Sequence, residues 1–169
     1  MNDEKMSKSL GNIISVTDAA DQYRGETLRA ALLSAHYRAP LDLSNNAMCD
    51  ARNGLDRLYR AVGDLDASQD QIDGDFIVCL LDDLNTPAAM ARLHELARLA
   101  NKGDDAAAKA LKASAAVLGL LQQSADGWAK ADDAATGDGL DDAAIDGLID
   151  ARKQARANRE FAKADKIRD

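Results

Sequence analysis

Aromatic side chains are scarce in this chain: one Trp, three Tyr and two Phe among 169 residues. A sheet-rich core draws heavily on aromatic and β-branched residues, so the shortage argues against one. Proline occurs only at Pro40 and Pro87, which leaves long stretches open to helix. No apolar run approaches the roughly 20 residues that span a bilayer, and no signal-peptide pattern is present. These absences exclude a membrane-spanning helix and lead to the expectation of a cytoplasmic protein with no membrane partner. Cys49 and Cys79 stand alone, without a CxxC or a His-rich neighbour. They are expected to be reduced thiols, core or half-buried, and no metal site is expected.

Positive charge is also in short supply. Lys and Arg number 21 against 29 Asp and Glu, for a net charge of −8. Its distribution is uneven. Residues 1–60 balance to zero, residues 61–150 carry −12, and residues 151–169 carry +4. An acidic middle weakens indiscriminate binding to nucleic acid, while both ends remain able to meet phosphate.

What the chain does have is alanine and leucine at helical spacing. The residues predict an all-α fold, a helical bundle with short connections. A short helix is expected from a Thr17 cap to Tyr23, stopped by Gly25, and a second from Thr27 to about His36. Ser44 reads as the N-cap of a long helix over about 45–64. Phe76, Ile77, Leu80, Leu81 and Leu84 form an apolar helical face. Thr86 then caps a helix to about Asn101, with Pro87 as its first residue. The next helix opens at Asp104 and Asp105 and runs through Leu111, Ala115, Leu118 and Leu121. Residues 122–140 read as a mobile linker from within which Trp128 folds back onto the bundle, and a basic helical hairpin closes the chain.

Near the N-terminus the run Lys5-Met6-Ser7-Lys8-Ser9-Leu10-Gly11-Asn12 gathers two ammonium groups, two hydroxyls and a Gly-Asn turn. That chemistry suits a polyphosphate. It resembles the signature loop of class I aminoacyl-tRNA synthetases, in which the loop closes on ATP. Residues 27–44, TLRAALLSAHYRAPLDLS, resemble a stretch of the bacterial cysteinyl-tRNA synthetase family. So do residues 80–87, LLDDLNTP, with Leu81 where the family has the first of three Asp, and residues 117–121, VLGLL. The end of the chain, residues 152–169, resembles the family's basic helical hairpin.

The resemblance implies roles. Lys8 would stabilise the pyrophosphate leaving group, with Lys5 beside it as a second catalytic cation. Lys5, Met6, Ser7, Lys8 and Ser9 would bind ATP with its magnesium. His36 and Arg38 would touch the tRNA stem, although at a helix end before Pro40 they equally suit the last helical carbonyls. Arg152, Lys153, Arg156 and Arg159 would face phosphate on tRNA(Cys), against the alternative of a solvated basic face. Arg29 has the same choice between a neighbouring carboxylate and RNA. Asp82 and Asp83 read as a cap and turn rather than a cation site, and His94 as structural.

Four parts follow from the resemblance. Residues 1–43 are the signature loop and its connection to the stem-contacting region, and 44–121 the anticodon-binding helical bundle. Residues 122–140 are the linker, and 141–169 a partial C-terminal helical domain. The catalytic domain that would precede the loop, with the family's His-x-Gly-His motif and zinc ligands, is absent from the sequence. The chain is therefore expected to be a monomeric C-terminal part of the enzyme, inactive alone. Two alternatives stay open: a fragment of the related cysteine ligase of mycothiol synthesis, and a free-standing RNA-binding or interaction module.

Overall fold

The computed structural model describes residues 15–130, 142–158, 160, 161 and 165, with the backbone alone over 142–146. They divide into two compact units, Met1–Ala135 and Thr136–Asp169. Every regular element among the described residues is helical, as the composition implies.

In the first unit, α1 (Val16–Gln22) is capped two residues earlier than the expected Thr17. Ser15 takes the cap instead and forms a reciprocal box with Asp18. Gly25 is not a stop. It is the first residue of α2 (Gly25–Leu33), which ends three residues short of His36. Ser44 caps α3 (Asn45–Val62) as expected, accepting from the Ala47 amide at 3.3 Å.

The helix α4 (Gly74–Leu81) departs most from its reading. Only Phe76 is buried, while Leu81 is 80% and Leu84 60% exposed. The helix stops at Leu81, and Asp83 and Leu84 then take left-handed backbone with φ 52° and 54°, so the apolar periodicity points outward once the helix ends. In α5 (Thr86–Ala100) the cap is Asn85 rather than Thr86, because its side chain reaches the Ala88 amide at 3.2 Å. Asp104 caps α6 (Asp105–Val117). That helix ends before Leu118 and Leu121, which lie around a reversal with Gly119 at φ 68° and Leu121 at φ 57°.

The helices α3, α4, α5 and α6 enclose a core built on Leu55, Leu58, Phe76, Leu93 and Leu111, each 1% exposed or less. Alanine sets the spacing: Ala89 on α5 and Ala115 on α6 are fully buried, and so small a side chain lets helix backbones approach closely. Ala30 of α2 enters the same core. Cys49 is exposed and Cys79 half-buried, so the first thiol is not a core group. It falls on the outer side of α3, opposite the Leu55 and Leu58 stripe.

The stretch expected to be a linker is folded over its first part. Ala125–Lys130 forms α7, and Trp128 within it is 2% exposed. The reason is the ring itself, which finds an aromatic partner and a hydrogen-bond acceptor on α3. Residues 131–140 lie outside the described residues.

Asp73 ties three elements together. It caps α4 by accepting from the Phe76 amide, pairs with Arg92 of α5 through two bonds of 2.8 and 2.9 Å, and donates its own amide to Ser114 of α6. The guanidinium of Arg92 holds the Asp73 carboxyl below its usual range. A carboxyl depressed in the folded state contributes stability above its unfolded pKa, near 4, and loses it as pH falls further. Asp73→Asn keeps the cap and removes the charge. Its expected cost is about 1–2 kcal/mol at neutral pH, with a shallower loss than wild type below about pH 4. Urea midpoints measured from pH 6 to pH 3 check this, and parallel curves would sink it.

Candidate functional site

The signature loop, Lys5, Met6, Ser7, Lys8 and Ser9, lies outside the described residues, as does Arg159. Among the described candidates, His36 and Arg38 belong to the first unit, and Arg152, Lys153 and Arg156 to the second.

The His36-Tyr37-Arg38 segment does not serve the carbonyls at the end of α2. It closes instead on Asp83, in the turn between α4 and α5. The His36 Nε2 atom lies 3.1 Å from the Asp83 backbone oxygen, and the Tyr37 hydroxyl donates to Asp83 Oδ1 at 2.7 Å. Arg38 donates to the Tyr37 oxygen at 2.7 Å and lies 3.1 Å from Asp83 Oδ2. The His36 and Tyr37 rings stack at 4.7 Å. The hydrogen bond to Asp83 raises the Tyr37 hydroxyl above its ordinary pKa. Arg38 remains 67% exposed on its side chain, so it is held at one end and open to solvent over most of its length.

Two motifs far apart in sequence thus meet, and Asp83 is what joins them. Asp82 and Asp83 both take part in the contacts of this turn. Asp82 ends α4 and accepts from Asn85, and Asp83 latches the preceding loop. The same holds for Arg29 and the VLGLL element. Arg29 donates to the Gly119 carbonyl at 2.8 Å rather than pairing with Glu26. A Cβ at Gly119 would run into that guanidinium, and its φ of 68° favours glycine independently. Glu26 is buried and engaged elsewhere. It accepts from the Tyr59 hydroxyl at 2.9 Å and the Leu121 amide at 2.6 Å. Neither Glu26 nor Tyr59 stood out in the sequence, and Asp83 did so only as part of a cap and turn; a carboxylate on the apolar side of α2 was the one available signal for Glu26.

In the second unit, α8 (Asp142–Ala157) carries the basic candidates in its last two turns. Arg152 and Arg156 are four residues apart and share a face. Arg156 is exposed and Arg152 half-buried, with its Nε atom finding no hydrogen-bond partner among the described residues. Lys153 sits a third of a turn away and pairs with Asp150 at 3.1 Å. A cation already paired on its own helix is the weaker phosphate ligand of the three.

Among the described residues no three His, Cys, Asp or Glu side chains come together to hold a metal ion. They do not fit a zinc site. No helix among them is long and apolar enough to cross a membrane.

Comparison with known proteins gives two family matches, both within the first unit. Residues 1–53 match the family described as tRNA synthetases class I (C) catalytic domain, and residues 75–122 match the DALR domain. The second match spans α4, α5 and α6. A cysteine–tRNA ligase of Paramagnetospirillum magneticum is 46% identical over 175 residues, covering 98% of this chain and 38% of the relative. Those of Acidiphilium cryptum and Rhodospirillum centenum are 44% and 46% identical, again over 98% of this chain and 36% and 37% of their own lengths. The chain therefore spans under two-fifths of the length of these curated relatives. Two family matches in the expected order, and near-complete coverage at this identity, carry one conclusion: the chain belongs to the cysteinyl-tRNA synthetase family.

Proposed function

We propose that this chain is the tRNA-recognising C-terminal part of a cysteine–tRNA ligase. In its complete form that enzyme activates cysteine with ATP and attaches it to tRNA(Cys) in the cytoplasm. The observation that carries the reading is the match to cysteine–tRNA ligases over 98% of the chain. The domain match over 75–122 supports assigning the bundle to the anticodon arm.

In this reading Lys8 and Lys5 stabilise charge on the phosphates of magnesium-bound ATP, with Met6, Ser7 and Ser9 shaping the loop around them. The role is electrostatic, and no proton transfer is asked of the loop. His36 and Arg38 stand next to the stem-facing connection, where the Asp83 latch fixes their direction. Arg152, Arg156 and, more weakly, Lys153 and Arg159 meet RNA phosphate. Without the amino-acid pocket and the rest of the ATP cradle, the chain alone does not adenylate cysteine.

The test uses the purified chain and a tRNA(Cys) transcript. Cysteine-dependent pyrophosphate exchange is expected to be absent, and tRNA binding is expected to weaken steeply as salt rises. Arg152→Glu combined with Arg156→Glu is expected to lower the affinity on the order of tenfold, since two phosphate contacts become repulsions. Exchange activity would refute the assigned division of labour. Unchanged affinity in the double variant would remove α8 from the interface.

A further inference from the structure

Against a net charge of −8, one surface of the first unit stands apart. The helices α3 and α5 cross where Gly54 faces His94. A Cβ on Gly54 would sit 3.6 Å from the imidazole Cε1, so the ring lies directly over the α3 backbone. Beside this crossing opens a groove of about 710 Å³, lined by Arg57 and Arg60 of α3, His94 and Arg98 of α5, and Asn101 and Lys102 just beyond α5. Arg57, Arg60, Arg98 and Lys102 are all exposed.

The fold does not neutralise these cations. Among the described residues no ion pair or hydrogen bond engages Arg57, Arg60 or Lys102, and Arg98 reaches only Glu95, at 4.0 Å. The contrast is with Arg92, six residues before Arg98 on α5, which pairs with Asp73, Asp75 and Glu95. Arg60 and Arg98 lie in the last turns of their helices, where a cation complements the dipole. That account does not reach Arg57, which stands a turn further in. Burial first, and the Arg57 charge second, hold the His94 imidazole below its usual range, as a locally positive site would.

Cations left facing one another call for an anion. Three guanidinium groups suit phosphate oxygens through paired hydrogen bonds, with the Asn101 amide available to a sugar hydroxyl. The groove's ring is the half-buried His94 imidazole, packed over Gly54, and no Phe, Tyr or Trp lines it as a platform for stacking a base. Its chemistry is that of backbone contact, which positions a nucleic acid without reading its sequence. We propose that the α3–α5 groove grips the phosphodiester backbone of an RNA stem. The choice of RNA over other polyanions rests on the tRNA reading above.

The test compares the wild-type chain with Arg57→Gln combined with Arg60→Gln, both on the exposed side of α3. A control, Lys109→Gln with Lys130→Gln, removes the same charge outside the groove. Dissociation constants for a fluorescein-labelled tRNA(Cys) transcript, and for a 12-base-pair RNA duplex of unrelated sequence, are read by anisotropy from about 50 to 200 mM salt. The groove variant is expected to lose roughly tenfold for both RNAs, with a salt dependence shallower by about 1.5–2 in the logarithmic slope. The control is expected to lose less than about twofold. If the wild-type chain binds tRNA(Cys) and the groove variant matches it, the groove proposal is overturned and the tRNA reading stands. An acidic protein surface would then be the complement of these cations. If the groove variant weakens duplex binding while the wild type shows no preference for tRNA(Cys), the groove stands and the tRNA(Cys) assignment falls. Binding of neither RNA overturns both.

Discussion

Trp128→Ala is expected to lower the unfolding free energy of the first unit by about 3–5 kcal/mol. The indole is 2% exposed although it sits in a six-residue helix within a polar stretch. Four contacts hold it, three from α3 and one from Arg24, the residue that precedes α2. Its ring stacks on Tyr59 of α3 at 4.6 Å and 10°. The guanidinium groups of Arg24 and Arg52 lie over it at 4.0 and 4.6 Å. Its N–H donates to Asp56 at 2.7 Å. Arg24 also donates to the Trp128 carbonyl at 2.9 Å, so one side chain holds both the ring and the backbone of α7. Truncation to alanine forfeits the buried area, both cation–π contacts and the Asp56 bond together. With stabilities of such domains near 5–15 kcal/mol, the loss is a large share of the whole. Trp128→Phe keeps the stack and loses the N–H, so about 1–2 kcal/mol is expected. Urea unfolding followed by far-ultraviolet circular dichroism measures both, since the chain's single Trp is the residue removed. A loss under about 1 kcal/mol for the alanine variant would show that α7 is carried passively rather than locking the bundle.

The reasons that Trp128 was legible and its surroundings were not are physical. A large aromatic in a polar stretch has few places to hide except the nearest core, so its docking follows from the hydrophobic effect alone. Ser44 and Asp104 were equally plain, because a short oxygen-bearing side chain before an apolar helix has one dominant use. What failed was the placing of helix ends by apolar spacing. Leu84, Leu118 and Leu121 continue the apolar periodicity beyond the ends of α4 and α6, where the backbone turns left-handed at Asp83, Leu84, Gly119 and Leu121. Leucine carries no mark of a positive φ, and the turn is stabilised by bonds from distant segments. The candidate site has the same limit. His36-Tyr37-Arg38 and the Asn85-Thr86-Pro87 element were each visible as motifs, but their meeting at Asp83 joins positions 45 to 47 residues apart. The α3–α5 groove was invisible for a related reason. Arg57 and Arg60 are three apart on one helix, whereas Arg98 and Lys102 come to them only through the crossing at Gly54.

Glu26→Ala is expected to cost about 3–4 kcal/mol, most of it from the partners it abandons rather than from the carboxylate itself. The residue sits in the first turn of α2, where the dipole favours an acid, yet it is buried. Each carboxylate oxygen has a separate donor: the Tyr59 hydroxyl on α3 at 2.9 Å and the Leu121 amide after α6 at 2.6 Å. The Tyr59 oxygen in turn accepts from the Gln123 amide at 3.2 Å. Burial first, and the bond to Glu26 as a further contribution, push the Tyr59 hydroxyl well above its ordinary pKa, consistent with a phenol kept neutral beside an anion. This chain of bonds fixes the left-handed Leu121 and delivers residues 122–124 to the start of α7. Alanine would leave the Leu121 amide and the Tyr59 hydroxyl buried without their acceptor. Glu26→Gln offers one oxygen where two are used and turns an N–H₂ toward a donor, so about 2 kcal/mol is expected for it. A double-mutant cycle of Glu26→Gln with Tyr59→Phe separates the network from plain packing. A coupling of about 1–2 kcal/mol is expected because both residues act on the same bond. Additive effects in that cycle would mean that Glu26 and Tyr59 stabilise the bundle independently, and that the path from α6 to α7 is held by its other contacts, among them Lys112 on the Leu121 carbonyl and the docked Trp128.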